Sequence, residues 1–456
     1  MSAAIHTVAA GTDPLLDPRT GIVVSMQRFT PAPEAPHGWG SWIAYLADTS
    51  RFGAFQADRY GYGAALDDSE AARLAALGEA VERYCGNAVP DGLRRATWDE
   101  LTRARVAALD PDQLSLYSPR QYADPEFPFV PLRRDTPATW ADGEEMHSGT
   151  TALVPAALTY LNYFTGSRRA EPWTNPVPYS GIAAGVDREH AEVAALEEVF
   201  ERDATALWWA SGAPAVRVRG FDESILNPRL DAHVLWVPSQ FEVSVIACFL
   251  EDHRRGIVGF GSSCKADPER AVRKAIVEAY QAYLLASEID DPGSALWAAI
   301  AREDFHAHTF RPHRADRGYR HEFRSDLRDI VDLPLLAQYY LDPAHQGAPL
   351  DRLRTHAAEI ELRELPAAAP DRARAHYLET IAAQGMLAYS VDLTTTDVRA
   401  AGRRVVRALI PGTYGNSPAA YPFLGGTRLY RVPQRLGFTD RVLDDNDLYP
   451  YPIPLV

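Results

Sequence analysis

The chain has 456 residues, 46% hydrophobic and 23% charged, enough to bury a sizeable core and more than a minimal domain needs. Its formal net charge of −15 argues against a general nucleic-acid binder, whose phosphates such a surface repels. Three scattered cysteines, Cys85, Cys248 and Cys264, suggest neither a disulfide framework nor a zinc site, and no signal peptide or ~20-residue apolar run is evident, so a cytoplasmic protein without membrane insertion is expected.

Residues 1–65 read as a strand-rich lead-in, with GIVVSMQRF and SWIAYLADT as β-prone runs between Pro- and Gly-containing breaks. A first helix is predicted over 69–86, where Asp67, Asp68 and Ser69 offer N-caps and Leu74, Leu77, Val81 and Tyr84 form an apolar stripe. Short, proline-punctuated elements continue to about 165. NPVPYSGIAAGV then leads into a second helix over 188–210, striped by Val193, Leu196, Phe200 and Leu207. Strands are predicted at HVLWV and EVSVIACFL. GIVGFGSSCKADPERAVRKAIVEAYQAY follows as strand, loop and third helix, with Asp267 as N-cap and Pro268 at its first position. Residues 303–328, rich in His and Arg, look like an exposed loop or insertion. Strands and helices alternate beyond it to the tail DDNDLYPYPIPLV. The interleaving predicts an α/β (α+β) chain in which helices cover sheets.

The first helix carries Glu79, Glu82 and Arg83, and the second repeats the pattern as Glu198, Glu201 and Arg202, flanked by Glu197 and Asp203. At spacings of three and four the side chains share one helix face. A single cluster of this kind reads as a solvated face with an ion pair worth a few tenths of a kcal/mol. Two are another matter, since on the order of 0.1 such motif is expected by chance at average residue usage. The third helix adds Lys274, Glu278 and Gln281 on one face. Carboxylates converging from three helices repel and raise one another's pKa unless a hard cation sits among them. Mg2+ takes oxygen ligands and keeps phosphate oxygens in its shell, and Arg83, Arg202 and Lys274 could meet those phosphates. The residues therefore point to a nucleotide–Mg2+ site without a P-loop, since no GxxxxGK[ST] occurs.

Three segments in this order, DDSEAARLAALGEAVERY, YSGIAAGVDREHAEVAALEEVFERDA and GFGSSCKADPERAVRKAIVEAYQAY, resemble the YcaO family over about 66–285. WADGEE followed by TALVPAALTYLNY is similar to the family's segment between the first two. The resemblance implies a YcaO-type fold of sheets flanked by helices, with ATP bound between helices. It implies a lead-in at 1–65, a YcaO domain at 66–430 and a Pro-rich tail at 431–456. By the same resemblance Glu79, Glu82, Glu198, Glu201 and Glu278 would hold Mg2+. Arg83, Arg202, Arg273, Lys274 and Gln281 would serve ATP. The implied activity is cyclodehydration of a ribosomally made precursor peptide, closing Cys, Ser or Thr side chains into thiazoline or oxazoline rings. Some positions depart from the family pattern: Ala75 replaces a serine, Tyr62 a lysine between two glycines, and Lys274 an arginine, while the turn before the second helix has Ser180 and Val186. They keep two further readings open, namely thioamide or amidine formation and a scaffold subunit that no longer turns over ATP.

Pro450, Pro452 and Pro454 resemble the Pro-x-Pro-x-Pro terminus of peptide-cyclising members, which implies a catalytic role for the tail, although Leu455 and Val456 extend past the last proline. Alternating prolines favour a stiff extended chain with little entropy to lose; the bland alternative is a disordered end. Because the chain begins almost directly with the YcaO-like part, the resemblance implies a separate leader-binding partner protein. A flavin-dependent azoline dehydrogenase and a homodimer are further implied partners. His306, His308, His313 and His321 have no zinc-like spacing and read as part of a solvated loop. Cys85 and Cys264 have no identifiable base beside them and read as core or loop residues.

Overall fold

Three aspartates begin the three long helices. Asp68, Asp187 and Asp267 each stand in extended backbone and accept a first-turn N–H, at 2.8 Å from Ala71, 2.8 Å from His190 and 3.0 Å from Glu269. Each cap satisfies a donor that the helix leaves orphaned and contributes about 1 kcal/mol. The helices span Ser69–Asn87 (α1), Arg188–Ala210 (α2) and Pro268–Asp290 (α3), matching the spans read from the sequence. The computed structural model describes residues 6–8, 13–52, 57–302 and 309–455.

Each long helix follows directly on a strand, and the three strands belong to three different sheets. Tyr60–Leu66 closes a four-stranded antiparallel meander with His6–Val8, Val23–Phe29 and Trp39–Leu46. Ile182–Gly185 edges a mostly sequence-distant sheet, pairing with Arg404–Leu409, which in turn pairs with Tyr389–Asp392 and then Ala138–Glu145. Ile257–Lys265 edges a five-stranded sheet of Ser244–Asp252, Asp231–Val237, Ala215–Arg219 and His356–Glu361, antiparallel except for its last pair. The result is the mixed α+β architecture expected, with helices laid on sheets.

Glycine decides how closely the helices lie. A Cβ on Gly63 would stand 2.1 Å from the Ala76 nitrogen, and one on Gly61 would stand 2.3 Å from the Ala80 nitrogen. Opposite them α1 presents Ala72, Ala76 and Ala80, all fully buried. Leu74, predicted in the buried stripe, is 40% exposed, because the strand's glycines admit only methyl-sized side chains from the helix. The same device recurs at Gly259 and Gly261 beneath Ala279 of α3.

The His/Arg-rich segment is a loop as read, and the structure adds what holds it. From 309 to 328 its residues are half-buried or exposed except for Phe310 and Tyr319, but ion pairs anchor it: Arg311 pairs with Asp329 at 2.6 Å, Arg314 with Glu322 at 2.6 Å and Arg317 with Asp290 at 2.6 Å. The arginines read as a solvated run because their acidic partners are partly distant in sequence. His313 lies 3.0 Å from the Asp290 carbonyl oxygen, while His306 and His308 lie outside the described residues. All three cysteines are buried and free, as core residues. Among the described residues, no helix is long and apolar enough to cross a membrane.

Candidate functional site

The glutamates of the repeated motif do not sit on solvated faces; each is held by a backbone N–H or a buried side chain. Glu79 accepts the Tyr62 N–H at 2.8 Å with one oxygen and Arg83 at 2.9 Å with the other. Glu82 reaches across to the strand before α2 and accepts the Ala184 N–H at 2.6 Å. Glu198 accepts the Gly181 N–H at 3.0 Å, and Glu201 accepts the Ser262 hydroxyl at 2.7 Å. Arg202 lies 2.9 Å from Glu201 and 3.7 Å from Glu198. On α3, Glu278 is paired with Lys274.

Electrostatics shows that these groups converge. Burial pushes Glu82 up to about 7, and the charges of Glu79 and Glu198 add to the rise against the Ala184 N–H and Arg83. Burial likewise raises Glu201, with Glu198 and Glu278 as its like-charged neighbours. Glu198 is thus common to both groups, and the charges of the five carboxylates on three helices act on one another through it. Two of the predicted nucleotide residues stand apart from it. Arg273 turns to Asp67 at 2.7 Å and to the Leu66 carbonyl oxygen at 3.2 Å, tying α3 to the start of α1. Gln281 is half-buried one turn beyond Glu278, and its side chain makes no hydrogen bond among the described residues. The flanking acids are structural: Glu197 binds Lys265 at 2.6 Å and Tyr377 at 2.9 Å, and Asp203 binds Arg428 through both oxygens at 2.6 Å.

Arg407, which the sequence reading passed over, lies beneath the cluster. It is wholly buried in the strand Arg404–Leu409 and donates from Nε to the Thr159 carbonyl at 3.0 Å and from Nη1 to the carbonyls of Tyr179 and Ser180. Burial lowers its pKa to about 10; Glu198 and Glu82 support its charge, and Arg83 opposes it. The backbone turn it holds supplies the Gly181 N–H to Glu198 and places the Tyr179 ring 4.7 Å from the Arg83 guanidinium. An arginine inside the apolar run VVRALI was the available signal, since a lone buried charge is rare without a task. Of the departing positions, Ala75 and Val186 are exposed, and Ser180 accepts the Asn416 N–H at 2.9 Å.

The carboxyl-terminal tail is docked along its length. Ala210 accepts the Tyr449 N–H at 2.8 Å, Trp209 donates to the Tyr451 carbonyl at 2.7 Å, and Tyr340 donates to that of Pro452. Pro450 is exposed, Pro452 is half-buried, and Pro454 is buried against Gly259, Ala282 and Tyr340. Ala282 and Ala286, which line the same small cavity as Pro454, stand one and two turns past Glu278 on α3, so the last proline lies beside the stretch of α3 that follows Glu278.

The site fits a particular class of ligand. Its donors are carboxylate oxygens without soft ligands, they are strained by mutual repulsion, and Arg202 Nε and Arg407 Nη2 are buried without hydrogen-bond partners among the described residues. Such a set suits a hard divalent cation together with an anionic ligand. The fold is mixed α+β, and the helix faces bring together carboxylates and arginines without a P-loop. The sequence model described as YcaO cyclodehydratase, ATP- and Mg2+-binding, matches residues 61–414, and the chain belongs to that family. ATP and Mg2+ are the family's ligands, and the donor set described above fits both.

In fold the chain is similar to a heterocyclase in complex with substrate and cofactor, with a TM-score of 0.70 at 21% identity over 96% of this chain and 56% of that one. It is also similar to YcaO from Methanopyrus kandleri bound with AMPPCP and Mg2+, with a TM-score of 0.55 at 18% identity over 88% of each chain. A curated relative, an uncharacterized protein in the tfuA 3′ region of Rhizobium leguminosarum bv. trifolii, is 26% identical over 241 residues, 48% of this chain and 54% of that one. The chain spans about half the length of this relative and of the heterocyclase.

Proposed function

We propose that this chain is an ATP- and Mg2+-dependent cyclodehydratase that closes Cys, Ser or Thr of a ribosomally made precursor peptide into thiazoline or oxazoline rings. The observation that supports the reading is the mutual electrostatic influence of Glu79, Glu82, Glu198, Glu201 and Glu278 on three helices, with a Pro-x-Pro-x-Pro tail docked beside α3. These five glutamates would hold Mg2+, which when bound offsets charge on phosphate oxygens during phosphoryl transfer. Arg83, Arg202 and Lys274 supply cations toward the same phosphates, with Arg273 and Gln281 at the outer edge on α3.

In the proposed reaction the peptide's side-chain sulfur or oxygen bonds to the preceding carbonyl carbon. The former amide oxygen takes the γ-phosphoryl group of ATP and departs as phosphate, while the amide nitrogen gives up its proton and a C=N bond forms. The balance is peptide plus ATP to azoline, ADP and phosphate. Amide oxygen is a poor leaving group, and the fixed cations stabilise the charge that its transfer to phosphorus develops. Pro450, Pro452 and Pro454 would set the tail against the reacting peptide. The reading includes a leader-binding partner protein, a homodimer, a cytoplasmic setting and, downstream, a flavin-dependent dehydrogenase that oxidises azolines.

Mass spectrometry of precursor peptide incubated with this protein, its partner and ATP tests the proposal. One water lost per modified residue is expected. Exchange of oxygen for sulfur redirects it to thioamide formation. Absence of calorimetric binding of a slowly hydrolysed ATP analogue with Mg2+, even with the partner present, leaves only a scaffold.

A further inference from the structure

A second set of metal-type side chains lies at the opposite end of the five-stranded sheet. Asp231 and Glu251 are directly opposed across the antiparallel strands Asp231–Val237 and Ser244–Asp252. His233 follows two residues after Asp231 on the same strand, so the period of two turns it to the same face, and His253 begins the turn that follows Ser244–Asp252. The other end of the same strand, Ser244, pairs with Lys265, which binds Glu197 of α2. Seven residues of strand therefore separate this group from the glutamate helices, roughly 23 Å at 3.3 Å per residue.

Its geometry is that of a small coordination shell. His253 Nε2 lies 3.4 Å from Asp231 Oδ2, and His233 Nε2 lies 3.6 Å from Asp231 Oδ2 and 3.8 Å from Glu251 Oε2. Ligand atoms of Asp231, Glu251 and His253 all fall within 4.8 Å of one another. Zinc–nitrogen and zinc–oxygen bonds of about 2.0–2.2 Å on a tetrahedron put neighbouring ligand atoms roughly 3.3–3.6 Å apart. The three edges at 3.4, 3.6 and 3.8 Å lie within a few tenths of an ångström of that spacing, while the atoms of Asp231, Glu251 and His253, spread over as much as 4.8 Å, must draw together by up to about 1 Å.

An independent observation points into the same space. The His233 side chain is 12% exposed, and its Nε2 is buried with no hydrogen-bond partner among the described residues. Its other nitrogen, Nδ1, faces His356 Nε2 at 3.2 Å. With the shared proton on His233 Nδ1, the contact with His356 would leave the Nε2 lone pair facing the two carboxylates. Arg354 holds Glu251 through both oxygens, Nη2 donating to Oε1 at 2.6 Å and Nε to Oε2 at 3.0 Å, and Oε2 also faces His233 at 3.8 Å. These outer contacts orient ligands as they do around known zinc sites. Two imidazoles beside two carboxylates select a borderline cation such as Zn2+ over Mg2+.

We propose that Asp231, His233, Glu251 and His253 form a Zn2+ site that clamps the two strands, with His356 and Arg354 as its supporting shell. The proposal is independent of the function proposed for the glutamate cluster. The test is equilibrium dialysis of untagged, chelator-treated protein against zinc in millimolar Mg2+, with metal counted by mass spectrometry. One zinc per chain is expected. His253→Ala, at a 67% exposed side chain that the fold does not need, should weaken binding tenfold or more, as should Asp231→Asn. Glu198→Gln should retain zinc, and tetrahedral visible absorption should appear on Co2+ substitution in wild type and vanish in His253→Ala. No stoichiometric zinc in wild type, wild-type affinity in His253→Ala, or loss of zinc in Glu198→Gln each overturns the proposal.

Discussion

A single methyl group at Gly63 tests whether close packing is what places the glutamates. The alanine Cβ would stand 2.1 Å from the Ala76 nitrogen, where ordinary contact begins at 3.4 Å, a shortfall of about 1.3 Å against backbone that cannot rotate away. Helix α1 must retreat by about 1 Å. Overpacking of this kind costs about 1–3 kcal/mol, and because a chain this long unfolds with an entropy near 1 kcal/mol/K, Tm should fall by only about 1–3 °C. The site suffers more. Glu79 accepts the N–H of the neighbouring residue, Tyr62, at 2.8 Å, and the retreat carries that carboxylate out of hydrogen-bond range. Displacement on the ångström scale within a coordinating cluster should weaken binding of a slowly hydrolysed ATP analogue with Mg2+ by about tenfold to a hundredfold. Gly40→Ala is the control, since a Cβ there meets nothing within 4 Å in the same sheet. Calorimetric titration and thermal melts of both variants decide the matter. Wild-type affinity in Gly63→Ala, with the expected loss of Tm, would refute the link between packing and site.

Arg407→Lys should keep the buried charge but cannot reach the Thr159, Tyr179 and Ser180 carbonyls together; we expect nucleotide affinity to fall about tenfold with a smaller loss in Arg407→Lys than in Arg407→Met, and equal effects of the two would deny the positioning role. Deleting Pro454, Leu455 and Val456 leaves the Tyr449, Tyr451 and Pro452 contacts intact; ring formation should drop tenfold or more with nucleotide Kd nearly unchanged, and full-rate cyclisation would remove the tail from the mechanism. Glu145 is raised by burial but lowered more by Ser148 and His147, to about 2. Its ionised form therefore adds stability above the unfolded value of 4.5, and that stability is lost as pH falls toward 2. Glu145→Gln should melt about 2 °C below wild type at pH 6, with the gap closing between pH 4.5 and 2; a constant gap would show that the charge contributes nothing.

The helices and their first residues were legible because capping is local: an aspartate, a first turn and a 3.6-residue period lie within one stretch of chain. The family was legible because three motifs recur in order. Register and proximity were less so. Leu74 was placed in the core by period alone, yet the glycines that exclude it stand on a neighbouring strand. The arginines of 309–328 read as solvated because Asp124 and Asp290 are remote or outside the run. Arg273 and Lys274 are adjacent in sequence but point to different partners, Asp67 and Glu278, which a helical rotation of about 100° per residue requires.

Arg407 carries the same point into the site itself. The repeated Glu-x-x-Glu-Arg motif reads as self-sufficient, with each helix bringing acids and its own cation. Glu82 and Glu198 nevertheless meet over a turn that neither helix contains, and a strand more than two hundred residues further on supplies the buried guanidinium that holds it. The two helix motifs therefore cannot be grafted as a pair. A chain that kept both but lost the 179–181 turn would retain the charges and lose their common geometry, because Glu198 takes its orienting N–H from Gly181 and a freed carboxylate would swing toward solvent rather than remain beside Glu82.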